Sequence, residues 1–178
     1  IVGDTTSEIG PDLGPDRAKF HGGVRCGDAV YGMLAGATSV LVIRGDEVTR
    51  IGALEAGNYK YGGGIAVENV VYGIPSDATC VLRIEDDRVT TFGVVSSQKD
   101  KWQNGGVGRD GIIYGVPCDA DCMLAIDPRT DALRSYSIPL DPRCDQFQGG
   151  YADCFGRIWC VPENSRHVLR ITPLAVAD

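Results

Sequence analysis

The chain has 178 residues, a length that can bury a real core and that makes one domain the default expectation. Its formal net charge of -7, with acidic and basic residues interspersed, argues against a nucleic-acid-binding role, which needs a basic patch. No apolar run approaches the roughly 20 residues that a membrane-spanning helix requires, so we expect no transmembrane segment.

The start of the chain carries no recognisable targeting signal. It begins with Ile1 rather than Met, and it lacks the basic and then apolar run of a signal peptide. We therefore expect a processed form or a fragment, and the sequence does not predict a compartment. Seven cysteines leave at least one unpaired within the chain and are compatible with both oxidising and reducing surroundings.

Near-identical segments recur along the chain. The second glycines of the recurring doublets, at positions 23, 64, 106 and 150, lie 41, 42 and 44 residues apart. A period of this size is typical of solenoids, propellers and repeat arrays. Each doublet follows an aromatic residue: Gly22-Gly23 after Phe20, Gly63-Gly64 after Tyr61, Gly105-Gly106 after Trp102 and Gly149-Gly150 after Phe147.

The third repeat shows most clearly which elements each unit contains. We predict an inner strand from residue 105, a second strand over 112–116, a third over 122–126 and an outer strand over 132–137. These runs are β-branched, aromatic or alternating in polarity, as strands are. Four short antiparallel strands in about 42 residues are the signature of a propeller blade.

The sequence therefore predicts an all-β protein, a single β-propeller domain over residues 1–178 with four four-stranded blades of about 42 residues. Glycines suit the inner strands, because blades converge at the axis and their backbones approach closely. The repeat units run over 19–59, 60–100, 101–145, and 146–178 together with 1–18.

The two ends of the chain are complementary within the repeat. Residues 5–10 copy the outer-strand segments 47–52 and 88–93, but no inner strands precede them. The last unit has three strand segments between 149 and 171 and lacks a clear outer one. We favour a closed ring in which residues 5–10 complete the last blade by pairing near 167–171. The alternative is a segment of a larger propeller.

One motif resembles known repeats. The aliphatic and aromatic run 111–114 is followed by the strand 124–126, which ends in Asp-Pro-Arg-Thr over 127–130, and related segments extend through all four units. In this the chain resembles kelch repeats and, more closely, streptogramin-lyase-like propellers. The resemblance implies the propeller fold. Such a lyase needs a His/Glu constellation and a divalent metal, whereas this chain has only His21 and His167 and no His-x-Glu or Glu-x-His, so the activity does not carry over.

The entries to the inner strands converge on one face of a propeller, the funnel face, so residues distant in sequence become neighbours there. The lysines at these entries predict either a partial cationic rim or stems that cover neighbouring aromatic rings. The competing interpretation is that the aromatics wedge between blades and the polar groups bind water. The candidate ligand-binding residues on this face are His21, Lys60, Lys101, Trp102, Gln103, Asn104 and Gln148.

The cysteines and acidic residues give no strong metal motif. Cys118 and Cys122 bracket a turn, and a disulfide between them fits better than zinc, which needs a second ligand pair, while two free thiols fit equally well. No calcium loop with Asp-x-Asp-x-Asp-Gly spacing is present. We therefore predict no catalytic residues, no metal and no cofactor.

Three functional hypotheses follow. Because catalytic motifs are absent and no blade stands out, the first is a non-catalytic interaction or scaffold module, for example an accessory subunit that binds other proteins. The second is a propeller that binds a small ligand, a sugar or an anion, in its funnel. The third is an enzyme of the streptogramin-lyase kind. The fold alone does not choose among them, since one fold hosts many functions.

Overall fold

The computed structural model describes residues 6–139 and 144–174, and every regular element in these ranges is a β-strand. The predicted all-β class is therefore confirmed. No helix in the two described ranges is long and apolar enough to cross a membrane.

The strands form four antiparallel sheets in chain order, which we call blades 1 to 4. Blade 1 contains β1 (Phe20–Cys26), β2 (Ala29–Leu34), β3 (Val40–Arg44) and β4 (Glu47–Ile51). Blade 2 contains β5 (Tyr61–Val67), β6 (Val70–Pro75), β7 (Val81–Glu85) and β8 (Arg88–Phe92). Blade 3 contains β9 (Trp102–Val107), β10 (Ile113–Pro117), β11 (Cys122–Asp127) and β12 (Ala132–Ser137). Blade 4 contains, within the described residues, β13 (Phe147–Ala152), β14 (Ile158–Pro162) and β15 (Leu169–Ile171).

Consecutive blades meet along their inner strands: β1 packs against β5, β5 against β9, and β9 against β13. Within each blade the strands follow one another outward from the inner strand. This is the arrangement of a four-bladed propeller, and the predicted fold is confirmed. β1 and β13 do not pack in the same way, so the described blades form an arc whose two end sheets have one neighbouring blade each.

The core lies between the blades. Three clusters of buried apolar residues fill the junctions of blades 1 and 2, blades 2 and 3, and blades 3 and 4. On the side that faces the preceding blade, the second strand supplies one aliphatic residue in equivalent register, and Val71, Ile113 and Ile158 are each no more than 1% exposed. Val30 holds this position in blade 1 and is 40% exposed, because no described blade precedes it.

On the opposite side of each sheet, the equivalent position is buried in blades 1 to 3 and exposed in blade 4. Met33, Ile74 and Val116 face the following blade and are fully buried, whereas Val161 in blade 4 is 46% exposed. We call the side of blade 1 that carries Val30 the leading face, and the side of blade 4 that carries Val161 the trailing face. Both faces are built like the buried ones but have no neighbouring blade among the described residues.

The predicted closure of the ring by the N-terminal segment is wrong. Residues 6–10 form no strand, and among the described strands β15 pairs only with β14, while Thr5 lies outside the described residues. The segment instead runs beside blade 1, where the guanidinium of Arg50 donates to the carbonyl oxygen of Leu13 at 2.9 Å. The complementary phase of the two ends therefore predicted neither the conformation of residues 6–10 nor the sheet beside which they lie.

Charged pairs connect consecutive blades at the outer ends of the junctions. Arg44 of blade 1 and the hydroxyl of Tyr31 each donate to Asp87 Oδ1 of blade 2 at 2.9 Å. Arg83 of blade 2 lies 3.8 Å from Asp131 of blade 3 in a similar relation. The hydrogen bond from Arg44 holds the pKa of the Asp87 carboxyl below its usual value.

Replacing Val71 by Ala removes apolar atoms from a filled junction, so we expect the free energy of unfolding to fall by about 2 kcal/mol. Val30→Ala is the matched control at the equivalent uncovered position, where we expect a loss below about 0.5 kcal/mol. Urea denaturation of both variants in dilute solution measures the difference. Equal losses at the two positions would contradict the assignment of the leading face.

The pair at Asp87 predicts a pH dependence of stability. Because the folded pKa of Asp87 lies below the unfolded value of about 3.9, the pair stabilises the fold above that pH and loses its contribution as the pH falls through the folded pKa. We therefore expect Asp87→Asn to lose less stability than the wild type between about pH 5 and pH 2. Thermal midpoints across this range measure the effect, and parallel curves would show that the carboxylate does not connect the blades.

Candidate functional site

All four inner strands become irregular at the same place, next to the axis. A β-bulge interrupts a ladder and re-aims the side chains around it, so it turns residues of the inner strands toward the axis. In blades 1, 2 and 4 the register shifts between the aromatic residue and the second glycine, at Phe20/Gly23, Tyr61/Gly64 and Phe147/Gly150. In blade 3 it shifts between the pair Trp102–Pro117 and the pair Gly105–Gly115.

The residue before the glycine at which the ladder resumes, which is Gly23, Gly64, Gly105 or Gly150, has a positive φ in every blade. The angle is +72° at Gly22, +146° at Gly63, +51° at Asn104 and +85° at Gly149. Glycine adopts such conformations without a steric penalty, and asparagine is one of the few other residues that visit the left-handed region routinely. Asn104 therefore stands where the other blades have glycine.

This geometry corrects the alignment of the third repeat. The ladder places Gly105 opposite Gly115, as it places Gly23 opposite Gly32 in blade 1. The glycine doublet recognised in the third repeat is therefore one position out of phase, and Asn104-Gly105 is its structural equivalent. The side chain of Asn104 consequently belongs to the axis of the propeller.

The four inner strands surround a cavity of about 200 Å³, which we call the central cavity. Its polar side chains are those of His21, Gln103, Asn104 and Gln148, and most of the remaining wall is glycine backbone. Four of the seven predicted ligand-binding residues are thus brought together. Tyr151 also lines the cavity and was missed from the sequence, although its place directly after the fourth glycine doublet was an available signal.

One position of the repeat supplies most of the cavity's side chains. His21, Gln103 and Gln148 each come directly after the aromatic residue of their inner strand. Blade 2 has Gly62 at this position. A methyl group on Gly62 would come within 2.6 Å of the carbonyl oxygen of Trp102, so the close approach of blades 2 and 3 explains why this position carries no side chain.

Lys60, Lys101 and Trp102 lie in the blade junctions and do not line the central cavity. Lys101 is 1% exposed, and its ammonium group donates to the carbonyl oxygens of Ser76 at 2.5 Å and Gln98 at 2.8 Å. Lys60 makes equivalent contacts one blade earlier, and burial lowers the pKa of both lysines. These side chains hold the interblade linkers against the preceding blade, so the cationic rim predicted for the funnel does not include them.

The central cavity is polar, and none of the described residues that line it carries a carboxylate. The carboxamides of Gln103, Asn104 and Gln148 each offer two donors and an acceptor, and the imidazole of His21 adds two ring nitrogens that form hydrogen bonds. Gln148 is exposed and the other three side chains are half-buried, so a ligand reaches all four. The arrangement is suited to hydrogen bonding with an uncharged polar group.

The disulfide considered for Cys118 and Cys122 is not formed, because Cys122 packs between blades 2 and 3 whereas Cys118 Sγ donates to Asp145 Oδ1 at 3.7 Å. Cys118, Asp119 and Asp145 place three atoms of metal-ligand type within 4.8 Å of one another. Asp119 already accepts the backbone N–H of Asp145 at 2.6 Å, and burial raises the pKa of Cys118 to about 12. In the structure these three side chains serve the turn, since the Cys118 thiol and the Asp119 carboxylate already have hydrogen-bond partners within it.

A larger groove of about 550 Å³ lies away from the axis, beneath the linker over 53–58 and beside Tyr61 and Cys80 of blade 2. A groove of about 300 Å³ recurs beneath the linker over 94–96, beside Trp102 of blade 3. Because the groove repeats with the blades, it follows from the way each linker crosses the next outer strand. It does not mark one blade as specialised.

No protein-family model and no curated protein sequence matches the chain. Solved structures do match. A streptogramin B lyase aligns with a TM-score of 0.71 and 12% identity over 92% of this chain and 58% of the lyase. A catalytically inactive virginiamycin B lyase from Staphylococcus aureus, solved with quinupristin, aligns with a TM-score of 0.72 and 14% identity over 90% and 55%. The WD40 β-propeller domain of Doa1 aligns with a TM-score of 0.59 and 9% identity over 80% and 46%.

These likenesses concern the fold. They confirm the predicted resemblance to streptogramin-lyase-like propellers, and the chain spans little more than half the length of the lyases that it matches. At such low identities the activity and ligands of those proteins are not transferred to this chain.

The left-handed backbone at Asn104 predicts an unusual order of stability for small substitutions. We expect Asn104→Gly to be more stable than Asn104→Ala by about 1 kcal/mol, because alanine tolerates this conformation poorly. The neighbouring Gln103 is the control, since its φ is not positive and glycine there should be less stable than alanine by about 0.5–1 kcal/mol. Urea denaturation measures both pairs. The same order at the two positions would show that the register of β9 is misassigned.

Proposed function

We propose that this chain is a non-catalytic interaction module that binds a protein partner on its funnel face, with the central cavity as the point of recognition. The observation that carries the proposal is the ring of polar side chains that three separate blades direct to the axis. Strands rather than flexible loops hold these side chains, and a site built on rigid elements is more precisely positioned. The ring consists of His21, Gln103, Asn104 and Gln148.

The size of the central cavity favours part of a protein over a free small molecule. Small-molecule pockets usually measure about 300–1,000 Å³, and this cavity measures about 200 Å³. It suits a single polar side chain or the tip of a loop. The rest of the partner then covers the surrounding inner-strand entries, toward the roughly 800 Å² per partner of a standard interface.

The chemistry of the cavity favours an uncharged polar group. A buried carboxylate or ammonium group needs an opposite charge, and the carboxamide side chains of Gln103, Asn104 and Gln148 supply none. They do offer paired donors and acceptors, which match a backbone amide or the side chain of serine, asparagine or glutamine. We therefore expect the recognised loop to present such a group.

The same lining residues support a non-catalytic role. General acid–base chemistry needs groups that exchange protons with the substrate in the correct geometry. Among the described residues, the titratable side chains at the central cavity are the imidazole of His21 and the phenol of Tyr151, and none of these residues brings a carboxylate, lysine or cysteine to it. This set differs from the His/Glu constellation that a lyase of the streptogramin kind needs.

Photo-crosslinking tests the proposed surface. Benzoylphenylalanine at position 103 should capture a defined partner from an extract of the source cells, which mass spectrometry identifies, whereas the same group at the exposed position 136 on β12 should not. With the purified partner, the triple variant His21→Ala, Gln103→Ala, Gln148→Ala should lose at least tenfold in affinity, or about 1.4 kcal/mol.

The matched control replaces three exposed polar residues on outer strands, Thr49→Ala, Thr91→Ala and Ser135→Ala, and should bind as the wild type does. Thermal midpoints verify that both triple variants fold. Full binding by the cavity variant would place the partner elsewhere on the blades. Thermal stabilisation of the wild type by a monosaccharide, lost in the cavity variant, would favour the small-ligand hypothesis instead.

A further inference from the structure

An asparagine directly precedes a glycine at the axis of the propeller, at Asn104-Gly105. This order matters because the backbone nitrogen of the next residue can attack the carboxamide carbon of asparagine, and glycine leaves that nitrogen unhindered. Asparagine is accordingly among the thermally labile residues of proteins. The other three asparagines of the chain precede larger residues, which are Tyr59, Val70 and Ser165.

The backbone at Asn104 lies outside the regular ladder of blade 3. Pairing between β9 and β10 joins Trp102 to Pro117 and resumes with Gly105 opposite Gly115, so the two residues in between are skipped. A regular ladder holds an asparagine extended, with its side chain perpendicular to the strand and away from the next backbone nitrogen. That restraint is missing at Asn104, whose φ of +51° is left-handed.

Glycines of the two neighbouring inner strands flank the carboxamide of Asn104. A methyl group on Gly63 of β5 would lie 3.1 Å from its Oδ1, and one on Gly149 of β13 would lie 3.9 Å from its Nδ2. Neither glycine has a side chain that fixes the carboxamide, which makes no hydrogen bond to the described part of the chain. Asn104 is half-buried at the central cavity, so water reaches it.

The packing of blade 3 requires the glycine that follows Asn104. A methyl group on Gly105 would collide with the carbonyl oxygen of Tyr114 on β10. A larger residue at 105 therefore needs a shift of the backbone, and the unhindered nitrogen is a consequence of the fold. In the other blades a glycine stands at the position of Asn104, so those blades carry no carboxamide at this place.

We propose that Asn104 is a site of spontaneous deamidation, which places a carboxylate in the central cavity. The nitrogen of Gly105 loses its proton to solvent and bonds to Cγ of Asn104, the bond from Cγ to Nδ2 breaks, and Nδ2 takes up a proton and leaves as ammonia. Water then opens the succinimide ring. Cleavage of the new bond at Cγ gives aspartate, and cleavage of the original peptide bond gives isoaspartate. One water is consumed and one ammonia is released, with no oxidant or reductant.

The consequence for recognition rests on the proposed function. The carboxamide of Asn104 offers two donors and an acceptor, whereas a carboxylate only accepts hydrogen bonds. A carbonyl oxygen of the partner that accepts from Nδ2 then meets a second acceptor, and burial of a carboxylate without a cation is unfavourable. We therefore expect conversion to weaken the binding of an uncharged group and to favour an ammonium or guanidinium group instead.

Peptide mapping of the purified chain during incubation at mildly alkaline pH tests the modification. Trypsin cuts after Lys101 and Arg109, so the peptide over 102–109 contains Asn104 as its only asparagine. We expect this peptide to gain the mass difference between a carboxamide and a carboxyl group. Fragment ions assign the gain to position 104, and Asn104→Gly, which has no carboxamide there, should show no such gain.

The other asparagines are controls within the same chain. All three are exposed whereas Asn104 is half-buried, so exposure alone predicts that they react faster. We expect Asn104 to convert at least about tenfold faster than any of them. They are Asn58, Asn69 and Asn164.

A comparison with the unfolded chain separates the effect of the fold from that of the sequence. In urea the Asn-Gly pair reacts as it does in a flexible peptide. Because the ladder skips Asn104 and glycines flank its carboxamide, we expect the folded chain to convert at a rate within about tenfold of the unfolded chain. Stronger protection by the fold would show that the backbone at Asn104 is held after all.

Binding measurements test the consequence for recognition. Anion exchange separates the converted chain, which has one more negative charge, from the unconverted chain. The protein partner captured through position 103 should bind the converted chain at least about tenfold more weakly, and Asn104→Asp should reproduce the loss for the aspartate product. Asn104→Gly is the matched control, because its affinity should not change during incubation, whatever its starting value. Thermal midpoints verify that each form is folded.

The outcomes distinguish the modification from the proposed function. If Asn104 converts no faster than the exposed asparagines, or if folding slows it by more than about tenfold, the modification is overturned and the proposed binding site is unaffected. If Asn104 converts and the partner still binds with full affinity, the modification stands, but the central cavity is not the point of recognition.

Discussion

The burial of aliphatic side chains between consecutive sheets is the interaction on which the rest of this structure depends. No single blade encloses a core, and the apolar clusters each draw residues from two neighbouring blades. Val71, Ile113 and Ile158 show the consequence, because the same register position is buried wherever a neighbour exists. The charged contact of Arg44 with Asp87 joins blades 1 and 2, and the buried ammonium of Lys101 holds the linker between blades 2 and 3. The residue types at these junction positions determine whether one blade can pack against the next.

Packing at the junctions also determines what reaches the axis. Inner strands that approach this closely leave room for glycine or for the left-handed conformation that Asn104 adopts, and the bulges direct polar side chains of blades 1, 3 and 4 inward. The candidate functional residues are therefore few. At the position after the aromatic residue, close packing excludes a side chain in blade 2, where a methyl group on Gly62 would collide with the carbonyl oxygen of Trp102. His21, Gln103 and Gln148 carry side chains at the position where blade 2 has Gly62.

The sequence predicted the all-β class, the four blades and most of the strands, since glycine spacing and alternating polarity are direct consequences of blade geometry. It placed His21, Gln103, Asn104 and Gln148 together for the same reason. It misaligned the third doublet because a backbone angle, not the identity of a residue, defines that position, and Asn104 satisfies the angle without being glycine. It located Lys60 and Lys101 at the funnel because sequence neighbours of axial residues need not face the axis. Neither their burial nor the position of residues 6–10 beside blade 1 can be predicted from spacing alone.

The open arc has a consequence for how the chain loses its structure. When each unit contacts only its neighbours, stability is approximately a sum of unit and junction terms, and cooperativity is passed along a line. Blades 2 and 3 each have two junctions, whereas blades 1 and 4 have one each among the described residues. We therefore expect opening to begin at the ends, so that amides of β2 and β14 exchange with solvent through partial unfolding before those of β6 and β10 do. Unfolding of the described blades is then expected to spread inward along a line of units, as fraying does in a linear polymer.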